Sequence, residues 1–455
     1  MKHSILLFVC LLFARSYAQD ALQISFQQTA KISSSFKGGE LVGDMQEGET
    51  TSSIAYLLYS DGSFELLEED GARVLYDLKE KMIYGYREDT LFRMVPLHSI
   101  INYRVAEFNN RQGLGNMLAK GGVENMMGDQ VALESTFGIE ATDSKIGEQI
   151  TQKRKKNNYT FFYEDKELLK ISFSKENIPA AFQDAYEHLL TYEFEVHPAI
   201  LRQIAEEKKI PASMSFTFVD VMRKIEKEMT FKEVKLIKDE RKELSFDNMI
   251  PQKDTNTSLV SLINSLVFQF TFYPTPEADS VLLFQQSDQY LEEEHNLSAL
   301  LVLFEYLLSS GIQPLERVKN VVPLAEKDTI LNNFMYAMSQ SRSEEEAQDK
   351  VEVLEELIQL NIPHGFMLNI FAANGITPIS PDKGMDYFYE ALKVNPYITG
   401  AWKDLGSIYN GSYNFEEGWK CYQIMLALER KHPMAEQIKE LKANLERDFP
   451  QYFAN

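Results

Sequence analysis

The sequence predicts an α+β protein of two domains: a twisted antiparallel sheet, half-barrel-like and crossed by one or two helices, followed by an all-α helical solenoid. Three observations predict it. Residues 22–244 are rich in short apolar and aromatic runs separated by turn dipeptides, the pattern of a meander. From Ser280 the apolar period becomes helical and stays so to the last residues. Between the two, Pro251-Gln252-Lys253-Asp254-Thr255-Asn256-Thr257-Ser258 has the composition of a polar linker. At 455 residues the chain is also longer than one core usually organises. The expected divisions are residues 1–18 as a signal peptide, 19–250 as the sheet domain, 251–279 as linker and apolar connecting segment, and 280–455 as the helical domain.

The first residues read as an export signal. Lys2 supplies a basic start, Ile5 to Ala14 is apolar, and Ser16-Tyr17-Ala18 places small residues where a signal peptidase needs them, so cleavage is expected before Gln19. The apolar run is shorter than the roughly 20 residues that cross a bilayer. The mature protein is therefore expected in a periplasm or outside the cell. Cys10 leaves with the signal, and Cys421 alone cannot form an internal disulfide, so stability must come from core burial. Cys421 is read as a buried small hydrophobe. The net charge is −22, and loss of Lys2 and Arg15 takes the mature chain to about −24, spread evenly over both halves. Such a chain, with no basic face, is a poor partner for nucleic acid or anionic lipid surfaces.

In the sheet domain, Ile54–Tyr59, Phe64–Leu67, Val74–Leu78, Met82–Tyr86 and Leu91–Val95 are the first strands, with Asp61-Gly62 and Asp70-Gly71 suited to tight hairpins. Asn109 to Gln130, with five glycines among Met117, Met126 and Met127, is expected to be a mobile loop whose methionines cover an apolar cavity. It is no dinucleotide fingerprint, because Leu118 stands where a glycine is required. Tyr159–Tyr163 and Leu168–Phe173 are strands, Pro179–Leu190 and Pro198–Lys209 are helices, and Met214–Val219 and Phe231–Ile237 are strands again. This order of elements resembles the half-barrel of the LolA-like periplasmic lipoprotein carriers. That resemblance implies a concave sheet able to enclose an acyl chain. The residues alone are read more simply: Tyr56, Phe64, Tyr76, Tyr84 and Tyr86 are ordinary strand formers that pack a core.

Leu259 to Phe272 is strongly apolar, too short to span a membrane, and expected to pack between the two halves, with Pro274 and Pro276 ending it. In the helical domain, Val281–Glu293 and Leu297–Leu308 form a pair that ends at Gly311 and Pro314. Leu315–Ser339 and Glu344–Leu360 are further helix, and Met434–Phe449 is the last. Between them a pattern occurs twice: Gly384, Phe388, Ala391 and Pro396 run into Trp402, Leu405, Gly406 and Tyr409, and then come Gly418 and Tyr422, with Gly384 and Gly418 34 residues apart. Gly384 and Gly406 are placed where paired helices approach closely, and the large side chains fill the space between helices. This pattern resembles the tetratricopeptide repeat, covering residues 365–398 and 399–433 well and 280–364 loosely. The family usually carries alanine where Gly384 and Gly418 stand, a difference of about 1 kcal/mol in helix propensity at each.

The resemblance implies a protein or peptide partner held in a groove lined by the first helix of each unit, here Phe366, Asn369 and Ala373, then Lys403, Ser407 and Asn410. The Lys/Asn set that grips a peptide carboxylate in some members is incomplete. Elsewhere no reaction chemistry gathers. The histidines lack the i, i+4 spacing of a helical metal pair, and neither a Gly-x-Ser-x-Gly elbow nor a phosphate-cradling loop occurs. Glu292-Glu293-Glu294 and Glu344-Glu345-Glu346 are read as solvated helix starts, and Lys153-Arg154-Lys155-Lys156 as a solvated turn guarding the edge of an aromatic strand. The expected function is an exported, non-enzymatic protein-binding scaffold without cofactor or metal. The alternative is a carrier or sensor of a hydrophobic ligand, a lipid or a lipoprotein acyl chain, held in the sheet. A hydrolase stands third, since catalytic residues need not be neighbours in sequence.

Overall fold

The computed structural model describes residues 20–34, 48–121, 129–219, 223–239, 241, 246–252, 258–273, 280–429 and 431–453. The residues expected to form a signal peptide, Met126 and Met127, most of the polar linker, Pro274 and Pro276 lie outside them. The chain divides into two compact units, Met1–Ile250 with Leu445–Asn455, and Pro251–Asn444.

The first unit is built on one antiparallel sheet. Its strands are β1 (Asp20–Ser34), β2 (Gly48–Leu58), β3 (Phe64–Leu67), β4 (Arg73–Asp77), β5 (Met82–Arg87), β6 (Thr90–Pro96), β7 (Thr151–Lys155), β8 (Asn158–Tyr163), β9 (Lys166–Asn177), β10 (Lys209–Val219), β11 (Arg223–Lys238) and β12 (Ile250–Pro251). Their order across the sheet is β12-β6-β5-β4-β3-β2-β1-β11-β10-β9-β8-β7. The two longest strands, β1 and β11, pair with each other at its centre, with a bulge between Ser25 and Phe26. The hairpin turns are those the dipeptides call for: Gly62 and Gly71 have φ of 86° and 84°, conformations open to glycine and costly for most other residues.

Alternation decides which side chains enter which face. On one face Phe64 stacks on Tyr76 at 4.4 Å, and both meet Tyr192 of the helix α3 (Gln183–Glu193). On the other face Glu65, Tyr84 and Tyr86 are covered by the segment that follows β11, where Phe246 stacks on Tyr84 at 4.2 Å and Arg241 lies over the Tyr59 ring. Helices α1 (Leu97–Lys120), α2 (Gln130–Phe137) and α4 (Pro198–Glu206) belong to the same unit.

Two expectations change here. The loop expected from Asn109 is overturned as far as Lys120, because α1 runs unbroken through Gly113 and Gly115. Open space surrounds the Cβ position of Gly113, so it costs only the helix propensity, about 1 kcal/mol, which burial of Ile101 and Phe108 offsets. Met117 is 62% exposed and covers no cavity. The basic run, read as a turn, is mostly strand: Thr151–Lys155 forms the outermost strand β7, exposed along its length, with Lys153 over Phe162 and Arg154 over Tyr159. Lysines and arginines on an edge strand discourage pairing with another chain, so the guarding role passes from the turn to the edge itself.

The second unit is helical: α5 (Leu259–Phe272), α6 (Ser280–Glu292), α7 (Asn296–Ser310), α8 (Leu315–Val321), α9 (Thr329–Ala337), α10 (Glu344–Gln359), α11 (Leu368–Ile376), α12 (Pro381–Leu392), α13 (Thr399–Gly411), α14 (Phe415–Leu428) and the start of α15 (Pro433–Asp448). Neighbours pair as α6 with α7, α9 with α10, α11 with α12, and α13 with α14. The apolar α5 packs within this unit, on α14 and α12, and Lys420 of α14 donates to the Asn264 amide of α5 at 2.9 Å. Ser343 caps α10 by accepting from the Glu346 amide, while the Glu346 carboxylate accepts from the amide of Arg342, the residue before the cap, a variant of the capping box that accounts for Glu346 in that first turn. Glu292-Glu293-Glu294 differs: it is solvated, as expected, but at the end of α6, with Glu294 at φ 60° turning the chain.

Candidate functional site

The repeated motif is realised as close helix approach. A Cβ on Gly406 would lie 2.6 Å from a ring carbon of Tyr422 and 3.0 Å from the Gly418 carbonyl oxygen, and one on Gly384 would lie 2.2 Å from the Thr377 hydroxyl. Trp402, Leu405 and Phe388 are fully buried, Tyr409 and Tyr422 nearly so. The Trp402 indole N–H donates to the Pro396 carbonyl at 2.8 Å, tying the motif's proline to the tryptophan of the next unit. Cys421 is buried as expected, and burial pushes its thiol well up, so it packs and does not react.

The six residues expected to line a groove separate into two groups. Ser407 is exposed, and its hydroxyl lies 3.2 Å from that of Tyr422. Lys403 is half-buried and reaches Asp404 at 3.4 Å. Phe366 is half-buried in a short 3-10 turn against the His364 ring, and the Asn369 amide donates to the Phe366 carbonyl at 3.2 Å. The other two point into the packing. Ala373 is fully buried, its carbonyl bonded by Thr377, so it cannot line a groove. The Asn410 side chain lies on Gly418 of the paired helix, where a Cβ would meet its Oδ1 at 2.5 Å. The physical reason is common to both: these positions sit on the side of the first helix that touches the second, and small or glycine partners let the backbones close over them.

The unit's exposed apolar side chains lie elsewhere. Ile330 and Tyr336 on α9, Met338 just beyond it, Ile312 before α8 and Leu315 at its first position all face solvent, with Lys350 over the Tyr336 ring. Inside the unit, His364 pairs with Glu305, whose other oxygen accepts from the Asn395 amide at 2.7 Å.

In the sheet unit the five aromatics Tyr56, Phe64, Tyr76, Tyr84 and Tyr86 are all buried, Tyr56 edge-on to Phe26 and the other four in the contacts described above. Fully buried Glu65 accepts from the hydroxyls of Tyr59 and Tyr86 and takes a paired bond from Arg73 at 2.9 and 2.7 Å. Burial and then the Glu65 charge push both tyrosine hydroxyls far above their ordinary range, which keeps them donors. Burial also raises Glu193, against the opposing hydrogen bond from Tyr76. His197 Nδ1 accepts from the Ala199 amide, so its Nε2–H is the donor to Glu134 at 2.8 Å, a fully buried pair joining α4 to α2. Two clefts in this unit measure about 20 and 60 Å³. Ligand pockets run to roughly 300–1,000 Å³, so each holds water at most. No group of three or more metal-ligating side chains occurs among the described residues, and no described helix is long and apolar enough to cross a membrane.

Sequence reasoning passes over the aromatic tail Phe449, Tyr452 and Phe453. Tyr452 and Phe453 are buried. Three aromatics closing an otherwise polar amphipathic helix were the available signal.

No protein-family model matches the chain, and no curated protein does. Among solved structures it aligns with lipovitellin, in a structure described as showing lipid–protein interactions, over 95% of this chain and 56% of that one, at 9% identity and a TM-score of 0.18. The chain thus spans about half the length of that protein, and a likeness so slight carries no argument about fold or function. The class defined here is an α+β protein with a large antiparallel sheet and a unit of paired helices.

Proposed function

We propose that this is an exported, non-enzymatic protein that holds a protein or peptide partner on its helical unit. One observation carries the reading. Of 21 large apolar or aromatic side chains exposed among the described residues, 15 lie in Pro251–Asn444, which is less than half the chain. Exposed apolar surface concentrated on one unit marks an interaction surface more than a random scatter does. The paired helices, drawn close by Gly384 and Gly406, give that surface a rigid support, as in repeat proteins that bind along stacked helices.

The test is quantitative affinity capture from the exported fraction of the source cells, with the full chain as bait beside two variants, Lys403→Glu and Ile330→Ser with Tyr336→Ser. A partner held on this surface is expected to fall at least about ten-fold with one of them, the equivalent of one lost anchor of about 1.4 kcal/mol. Identical capture by all three baits removes the reading.

The second reading, a carrier or sensor of a hydrophobic molecule, draws on the extent of the twelve-stranded sheet. Native mass spectrometry of the full chain tests it, and finding no bound lipid counts it out.

A further inference from the structure

We propose that the sheet unit carries a peptide socket for a Tyr-Phe pair, and that the chain's own Tyr452 and Phe453 occupy it as an intramolecular ligand. After α15 the chain makes one 3-10 turn, Pro450–Tyr452. Within it Pro450 and Gln451 are exposed and Tyr452 is fully buried, and Phe453, just after it, is 4% exposed. Two buried aromatic anchors beside two exposed residues are the pattern of a bound linear peptide, in which a few side chains hold the segment.

The socket is polar where the ligand is polar. The Tyr452 hydroxyl donates toward the carbonyls of Phe137 and Gly138, at 3.1 and 2.9 Å, and accepts from Arg104 at 3.1 Å. Arg104 is itself held in place, donating to the carbonyls of Thr191 at 3.2 Å and Tyr192 at 2.6 Å. The Tyr192 hydroxyl donates to the Tyr452 carbonyl at 2.7 Å, and its ring meets the Tyr452 ring edge-on. Both ends of the tyrosine are thereby read, its hydroxyl and its main chain. Phe453 sits on the His98 ring at 5.0 Å beneath the Lys81 ammonium.

Gly138 makes the hydroxyl recognition possible. Its φ is 65°, and a Cβ there would stand 2.5 Å from the Tyr452 oxygen. A side chain at 138 therefore could not coexist with the hydroxyl where it stands. A phenylalanine in place of Tyr452 would leave the two carbonyls and an Arg104 donor facing an empty hydroxyl site, and such unpaired buried groups are what give a site its preference for tyrosine. The occupant is this chain's C-terminal segment, and by the same chemistry the socket takes a free peptide carrying Tyr-Phe when the tail is out.

The experiment uses full-length protein. A fluorescein-labelled peptide of residues 445–455 is titrated against wild type and Tyr452→Ala, read by anisotropy. Tyr452→Ala is expected to bind it saturably, and wild type, its socket filled, at least ten-fold more weakly. The same peptide with Tyr452→Phe is expected to bind Tyr452→Ala about ten-fold more weakly. If folded Tyr452→Ala does not bind, the proposal is overturned. Hydrogen exchange on wild type decides independently of that variant's folding. The Tyr452 and Phe453 amides, bonded to the Phe449 and Pro450 carbonyls, should exchange well before those of the β1–β11 ladder. Exchange of both sets together, through global unfolding, would show the tail to be fixed core and no ligand.

Discussion

Alanine at position 418 tests how firmly Asn410 is held. A Cβ there would stand 2.5 Å from the Asn410 Oδ1, 2.7 Å from its Cγ and 2.9 Å from its Nδ2, so the whole amide group obstructs it. That Oδ1 is buried and has no hydrogen-bond partner among the described residues, so no hydrogen bond fixes this end of the amide. Gly→Ala inside a helix gains about 1 kcal/mol of propensity. Forcing an extra methyl into a packed site costs about 1–3 kcal/mol. Gly418→Ala alone should therefore be neutral or lose up to about 2 kcal/mol. With Asn410→Ala already in place the obstruction is gone, and the same change should gain about 1 kcal/mol. The coupling between the two sites is then about 1–3 kcal/mol, in the range found for residues in contact. Urea unfolding followed by tryptophan emission reads it directly, because the chain's two tryptophans, Trp402 and Trp419, both belong to this helix pair. A coupling under about 0.5 kcal/mol, with Gly418→Ala stabilising the wild type by the full amount, would refute the reasoning. It would mean that Asn410 swings out at no cost and is free to meet a partner.

Two further outcomes are expected of the sheet unit. Glu65→Ala leaves the Arg73 guanidinium and the hydroxyls of Tyr59 and Tyr86 without their common acceptor. Breaking a buried ion pair of this kind costs about 3–5 kcal/mol, to be read as lost near-ultraviolet tyrosine dichroism at lower urea. The second concerns pH. Burial pushes the Glu446 carboxyl up, but the hydrogen bonds from Lys81 at 2.5 Å and His98 at 2.8 Å outweigh it and hold it below the usual carboxylate range. A carboxylate lowered in the folded state stabilises fully above its unfolded pKa, about 4.3 for glutamate, and the contribution is lost as pH falls through the lower folded value. Protection of the tail amides should therefore hold from neutral pH to about pH 5 and decline below it. Glu446→Gln should lower that protection at neutral pH and flatten its decline. An unchanged profile in the variant would show that Glu446 does not fasten the tail.

What was legible along the chain is what depends on neighbours in sequence. Ser343 and Glu346 are three residues apart and cap one turn. Gly62 and Gly71 turn hairpins whose strands are a few residues away, and the 34-residue spacing of Gly384 and Gly418 places each against a helix of its own pair. The misreadings arise where a local signal meets a distant partner. Gly113 and Gly115 look like a loop until buried Ile101 and Phe108 anchor α1. Asn410 looks available on one helix face until the second helix, with no Cβ at 418, closes over it. Arg104 carries no motif at all, and only the arrival of the Tyr192 and Tyr452 oxygens explains a half-buried arginine there.

By itself, then, the sequence determined the α+β division, the hairpin turns, the pairing of the last helices and the inert burial of Cys421, since periodicity, turn chemistry and helix approach are written within a few dozen residues. Only the tertiary structure decided that β1 pairs with β11 some two hundred residues later, that the segment after β11 covers one face of the sheet, and that Tyr452 closes on Arg104 across 348 positions. Those contacts gain their energy from burial and from hydrogen bonds whose two halves lie far apart in the chain, and no local pattern records which distant group will supply the other half.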